Sequence, residues 1–290
     1  MGAAGPIPLH ALLHAAAARL AAAGIAADEA RLDAEWLARH ALACDRAALV
    51  ARARAIVPAE VVGRFDALVD RRRRREPMGY VLGQVEFWGL AFEVGAAVLV
   101  PRPETETIVE EALARIPPRG TRVRVADVGT GSGCLAVSVA LEAPGARVMA
   151  TDISAPALAV AARNVARHGV TGRVALVRGS LLGAIGGPLD LVVSNPPYVP
   201  DGDRPALPPE VRDFEPGVAL FGGPDGLAVI RAIVAEARDR LRPGGWLVFE
   251  LGAGQAAAVE ALLAGRDWAD ATIRPDLQGI PRTAVARRRP

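Results

Sequence analysis

Arg122-Val123-Arg124-Val125-Ala126-Asp127-Val128-Gly129-Thr130-Gly131-Ser132-Gly133-Cys134-Leu135 decides the fold. Its first half alternates apolar residues as a strand does, and an apolar run starting near Leu135 reads as a helix. Between them the glycines allow a tight turn and close approach of backbone N–H groups to a ligand at a helix N-terminus. The spacing is Gly-x-Gly-x-Gly, which differs from the Gly-x-Gly-x-x-Gly fingerprint of dinucleotide sites. Asp152 ends the next strand candidate, 23 residues after Gly129. A carboxylate there can accept both hydroxyls of a ribose. Asp127 has two readings, bracing the loop or contacting the amino-acid part of a bound nucleoside cofactor.

Outward from this unit, strand and helix alternate. Strands are expected at Arg122–Asp127, Arg147–Thr151, Val174–Val177, Leu189–Ser194 and Trp246–Glu250, with weaker candidates at Ala271–Arg274 and Ala284–Arg288. Helices are expected at Glu104–Ala114, Ala155–His168 and Leu227–Leu241. Repeated βα units call for a parallel sheet covered on both faces, and the last two strands for an antiparallel edge. The expected fold class is α/β, a Rossmann-like seven-stranded domain over residues 101–290. Residues 1–76 read as a small helical bundle, broken at Gly24 and Pro58. Residues 77–100, with Tyr80–Gly83 and Phe87–Val94, read as a hairpin-rich connector.

Asn195-Pro196-Pro197-Tyr198 follows the apolar run Leu189–Val193 and therefore sits where a buried strand ends. Ligands of open α/β sheets bind at such carboxyl ends. Two prolines fix φ and remove two N–H donors, leaving a stiff surface of carbonyls. Asn195 adds a side-chain carbonyl and Tyr198 a flat face, so the corner can hold both hydrogens of one planar –NH2 group. Holding them localises a lone pair that conjugation otherwise spreads, and the nitrogen becomes able to attack. With the glycine loop, this points to S-adenosylmethionine as methyl donor beside a planar nitrogen acceptor.

The composition limits the alternatives. The 290 residues are 51% hydrophobic, but no apolar stretch crosses a bilayer without Gly, Pro or charge. No basic region leads into an apolar core at the N-terminus, so a cytoplasmic protein is expected. Cys44 and Cys134 stand far apart and suit neither a disulfide framework nor a thiolate metal site. His10 and His14 are i,i+4 on a helix, which fits ordinary surface residues better than a metal pair; no metal is expected. All 34 basic residues are arginine and the formal charge is +2, too small an excess for a general nucleic-acid binder. The Arg71–Arg75 run reads as a solvated helix end or a phosphate-facing patch.

Several further motifs appear in order: Pro77-Met78-Gly79-Tyr80-Val81-Leu82-Gly83, Glu86-Phe87-Trp88-Gly89-Leu90, Pro101-Arg102-Pro103-Glu104-Thr105-Glu106, Phe214-Glu215-Pro216, Gly222-Gly223-Pro224-Asp225-Gly226-Leu227 and Gln278-Gly279-Ile280-Pro281-Arg282. With the glycine loop and Asn195–Tyr198, the chain from about Phe65 onward resembles the peptide chain release factor N5-glutamine methyltransferases. The resemblance implies methyl transfer from S-adenosylmethionine to the glutamine side-chain nitrogen in the Gly-Gly-Gln motif of bacterial class I release factors. It assigns Asn195, Pro196, Pro197 and Tyr198 to the substrate amide. Gly129, Thr130, Gly131, Ser132, Gly133, Asp152, Ser180, Leu181 and Asn195 go to the cofactor, with Asp127, Arg102, Glu104 and Thr105 as weaker candidates. The N-terminal bundle becomes a docking surface for the release factor. One departure stands out: Gly179-Ser180-Leu181-Leu182 lies where many members place an acid and an aromatic near the adenine. The alternative reading is a methyltransferase for adenine N6 or cytosine N4 in nucleic acid, because the same corner suits any exocyclic –NH2.

Overall fold

The computed structural model describes residues 7–117 and 121–290. By contact density the chain divides into two compact units, one comprising Met1–Gly83 with Pro209–Phe214, the other Gln84–Pro208 with Glu215–Pro290.

The first unit is helical: α1 (Leu9–Ala22), α2 (Ala27–Leu42), α3 (Arg46–Ala51), α4 (Ala59–Arg73) and α5 (Met78–Leu82). Leu9, Leu12, Ala16 and Leu20 lie one helical turn apart and face Ala30, Ala34, Leu37, Phe65 and Val69 in a common core. Tyr80–Leu82, expected in the hairpin connector, lie in α5 instead. Pro77 pre-sets the entry to that turn, and Gly83 ends it in the left-handed region at φ 74°.

The Arg71–Arg75 run is neither a solvated helix end nor a phosphate patch as a whole. Arg72 is buried and pairs with Asp33 at 2.6 Å, Glu29 at 2.7 Å and Glu210 at 2.8 Å. Arg75 also reaches Glu210, and Arg71 holds Glu76 and the carbonyls of Tyr80 and Val81. Three carboxylates around one guanidinium satisfy its planar fork, which makes the burial tolerable. Glu210 arrives on α9 (Pro209–Phe214), a helix not expected from the sequence, within a segment that reads as part of the 101–290 domain but groups by contacts with the helical unit.

The second unit starts with a hairpin, β1 (Gln84–Phe87) and β2 (Leu90–Glu93), followed by α6 (Glu106–Leu113). The strand–helix alternation follows: β3 (Val123–Val128), α7 (Cys134–Glu142), β4 (Ala146–Asp152), α8 (Ala155–Arg167), β5 (Val174–Arg178), β6 (Leu189–Ser194), α10 (Ala228–Arg240), β7 (Leu241–Glu250), α11 (Ala256–Leu263), β8 (Trp268–Pro275) and β9 (Pro281–Arg288). The sheet order is β5-β4-β3-β6-β7-β9-β8. Its first five strands are parallel, and β9 is antiparallel to both β7 and β8. This is the seven-stranded α/β sheet with an antiparallel edge expected above. The strand β7 already starts at Leu241, because Pro243-Gly244-Gly245 is absorbed as an irregular register rather than a break.

Alternation along the central strands builds two cores. Val123, Val125, Leu191, Val193, Val248 and Val285 pack against α6, α7 and the hairpin. Ala126, Val128, Val192, Leu247, Phe249, Ala284 and Ala286 pack against α10 and α11. A sheet buried on both faces exposes only its ends to ligands. The chain leaves β3 towards β4 on one side and later returns to β6 on the other, so the two strand ends at that reversal form a crevice. Among the described residues no helix is long and apolar enough to cross a membrane.

Candidate active site

A cavity opens at this reversal. Its walls include Gly129, Thr130, Gly131 and Ser132 after β3, Asp152 and Ile153 after β4, Ser180 and Leu181 after β5, and Asn195, Pro196 and Pro197 after β6. Thr105 and the segment Ala97–Leu99 line it as well.

The cofactor half is built from backbone. Gly129, Gly131 and Gly133 have φ of 72°, 53° and 83°, which side-chain-bearing residues seldom adopt. At Gly133 a Cβ would also lie 3.3 Å from the Ala161 Cβ, so that glycine lets α7 approach α8 and is not among the residues lining the cavity. Asp152 accepts from the Gly131 N–H at 2.9 Å and the Ser154 N–H at 2.8 Å. Each carboxylate oxygen keeps a further acceptor site for a ribose hydroxyl. Asn164, buried on α8, donates to the Ser132 carbonyl at 2.8 Å and fixes the loop to the hairpin through Glu93. Sequence reading missed Asn164, because an amide within an amphipathic helix gives no local signal.

Asp127 braces the loop. Its Oδ2 accepts from Thr130 Oγ1 at 2.6 Å and from the Ala136 N–H at 3.1 Å. It is buried and does not line the cavity, so of its two readings the bracing one matches the structure. Burial pushes its pKa up to about 7, against the lowering effect of those two hydrogen bonds. The neighbouring Cys134 thiol is pushed up to about 12 by burial and by Asp127, which leaves it unreactive.

Ser180 and Leu181 replace the acid–aromatic pair and do line the cavity. Leu181 is held at φ 48°, and its carbonyl accepts from Thr151 Oγ1 at 2.9 Å. Together with Ile153, a residue 57% exposed, Leu181 gives this wall an apolar surface. An acceptor pair for a diol, an apolar slot and N–H groups at a helix start fit an adenosyl group with a charged amino-acid tail.

The clamp half is built from side chains. Asn195 Nδ2 donates to Thr105 Oγ1 at 3.0 Å, and Thr105 Oγ1 donates to Glu250 Oε2 at 2.7 Å. Tyr198 OH donates to Glu250 Oε1 at 3.0 Å. Thr105 and Glu250 are both buried. Desolvation holds the Glu250 carboxyl above the ordinary carboxylate range, although these two donors pull the other way. Burial, reinforced by Glu250, also raises the Tyr198 phenol, which stays a proton donor. Glu250 is the residue that sequence reading overlooked. Its signal was available, since it closes the apolar run Trp246–Phe249 as Asp152 closes β4.

The second glycine motif backs this corner. Gln255 Nε2 donates to the Tyr198 carbonyl at 2.9 Å. A Cβ on Gly226 would lie 2.1 Å from that oxygen, and one on Gly222 2.6 Å from the Pro197 carbonyl. Arg102 does not line the cavity: one nitrogen sits 2.8 Å from each oxygen of buried Glu215, tying the Pro101–Glu106 segment to Glu215-Pro216. Glu104 does not line it either.

A nucleoside cradle beside an amide-sized clamp, on a seven-stranded sheet, defines an S-adenosylmethionine-dependent methyltransferase. Residues 11–83 match the PrmC N-terminal domain family and residues 108–206 the methyltransferase small domain family. The fold is shared with a methyltransferase from Pyrococcus furiosus, at TM-score 0.51 and 20% identity over 70% of this chain and 91% of that one. The release factor glutamine methyltransferase of Geobacter sulfurreducens is 46% identical over 261 residues, 90% of each chain. That of Cereibacter sphaeroides is 46% identical over 275 residues, 95% of this chain and 96% of its own. The chain belongs to the release factor glutamine methyltransferase family.

Proposed function

We propose that the protein methylates the side-chain nitrogen of the glutamine in the Gly-Gly-Gln motif of bacterial class I release factors, in the cytoplasm. One observation carries the reading: Asn195, Pro196 and Pro197 line the same cavity as Gly131 and Asp152. A carboxamide held at the first group faces a methyl donor held at the second.

S-adenosylmethionine, when bound, supplies a methyl group on a positively charged sulfur. Asp152, the Gly129–Gly133 loop, Ile153 and Leu181 orient it. The Asn195 side-chain carbonyl and the Pro196 carbonyl accept the two amide hydrogens, and Tyr198 covers the corner. Positioning of this kind contributes up to roughly 7–11 kcal/mol in favourable cases. A methylated amide nitrogen is acidic enough to lose its proton without a strong base.

The N-terminal helical unit is our candidate docking surface for the release factor, because Leu32 and Trp36 stand half-exposed one turn apart on α2. The test uses labelled S-adenosylmethionine with whole release factor, a Gly-Gly-Gln peptide or DNA, and mass-spectrometric site mapping. Label on the motif glutamine and none on DNA is expected. Trp36→Ala should raise KM for whole release factor about tenfold and leave KM for the peptide unchanged. Label on adenine or cytosine instead would overturn the substrate; equal KM changes would overturn docking.

A further inference from the structure

Hydrogen-bond polarity along the clamp leaves little freedom. Thr105 and Tyr198 both donate to the Glu250 carboxyl, one to each of its oxygens. Thr105 has a single hydroxyl proton, and donating it leaves Oγ1 only as an acceptor. The group 3.0 Å away on Asn195 must therefore be its –NH2, the donor end of the amide. The carbonyl end, Oδ1, is then turned to the other side.

The register explains how three distant residues meet. Asn195 follows Ser194, which pairs with Phe249 in the parallel β6–β7 ladder, so Glu250 lies beside Asn195 at the sheet end. Thr105, 2% exposed at the last position of the turn Pro103–Thr105, fills the space between them. An asparagine side chain free to flip about its last torsion would present –NH2 and C=O interchangeably. In the flipped state it would meet the substrate –NH2 donor to donor.

We propose that Glu250 is a positioning residue which, through Thr105, locks the Asn195 amide with its carbonyl towards the substrate and thereby selects a carboxamide. This rests on the glutamine-methylating reading and adds to it the device that sets the clamp's polarity. It also gives the reason for burying an acid that, among the described residues, pairs directly with no cation. A glutamate side chain offers only acceptors at neutral pH and would face Oδ1 acceptor to acceptor.

The test compares Thr105→Val, which keeps shape and removes the hydroxyl, with Thr105→Ser, which keeps the hydroxyl. A third variant, Thr105→Val with Glu250→Gln, also replaces the buried carboxyl that the first leaves with one donor fewer. At saturating cofactor and release factor, kcat should fall roughly 10- to 100-fold in Thr105→Val. It should stay within about threefold in Thr105→Ser, with cofactor Kd unchanged in both. The double variant should regain melting temperature but not kcat. Wild-type turnover in Thr105→Val, equal loss in Thr105→Ser, or recovery of kcat together with stability would each overturn the lock. A readout without substrate separates this from the choice of substrate. The Asn195 side-chain –NH2 protons, assigned by their loss in Asn195→Ala, should exchange with water at least tenfold faster in Thr105→Val. Unchanged exchange sinks the lock, whereas a wild-type enzyme that leaves release factor unmethylated sinks the substrate reading alone.

Discussion

The two halves of the proposed site are built by different means. On the cofactor side, Gly129–Gly133 and Asp152 work through backbone N–H groups and one carboxylate tied to them. On the clamp side, Asn195 and Tyr198 hang on side-chain hydrogen bonds that converge on buried Glu250. Backbone amides are fixed by the fold, so the cofactor half survives most side-chain changes nearby. A side-chain network stands or falls together, because removing one member leaves a buried partner unsatisfied. Binding and turnover should therefore be separable by mutation.

The sharpest break of this contrast short of the clamp itself is Gly226→Ala. The added methyl would stand 2.1 Å from the Tyr198 carbonyl, at a φ of 73°, and the corner must shift. Turnover should fall about 100-fold, near 2.7 kcal/mol, while calorimetry finds cofactor affinity retained. Asp152→Ala attacks the other half. Its cofactor Kd should rise about 30-fold, roughly 2 kcal/mol, and saturating cofactor should restore kcat to within a few-fold.

The smallest effect sharpens the account of the loop. Asp127 keeps its proton up to about pH 7 in the folded protein, whereas in the unfolded chain it is lost near 3.8. The folded state binds more protons across that window, so stability falls as pH rises through it. Between pH 6 and 7 the loss from this residue is about 1 kcal/mol. Asp127→Asn, which titrates nowhere, should flatten that part of the melting-temperature profile. An unchanged profile would place the carboxyl near its ordinary range.

Most of the fold and the two stretches that line opposite parts of the cavity were legible, because each depends on local pattern. Parallel strands read as apolar runs, the glycine loop marks β3, and Asn195–Tyr198 marks the end of β6. What was hidden depends on partners far apart in sequence. Arg72 looks like one of five exposed arginines until Glu29, Asp33 and Glu210 surround it. Tyr80–Leu82 read as part of a hairpin-rich connector, yet Pro77 and Gly83 bound them as a helix. The resemblance makes Arg102 a weaker cofactor candidate and the sequence leaves Asp127 with two readings; each spends polar atoms bracing the scaffold. Glu250 illustrates the general case: a strand-ending acid is visible, but its partners Thr105 and Tyr198 are not.

The most direct measurement is kcat on whole release factor for Asn195→Ala, alongside its cofactor Kd by calorimetry. Loss of at least 1000-fold, about 4 kcal/mol, with Kd within about threefold of wild type is the expected result. Turnover within tenfold of wild type, or cofactor affinity lost in step with turnover, would contradict it.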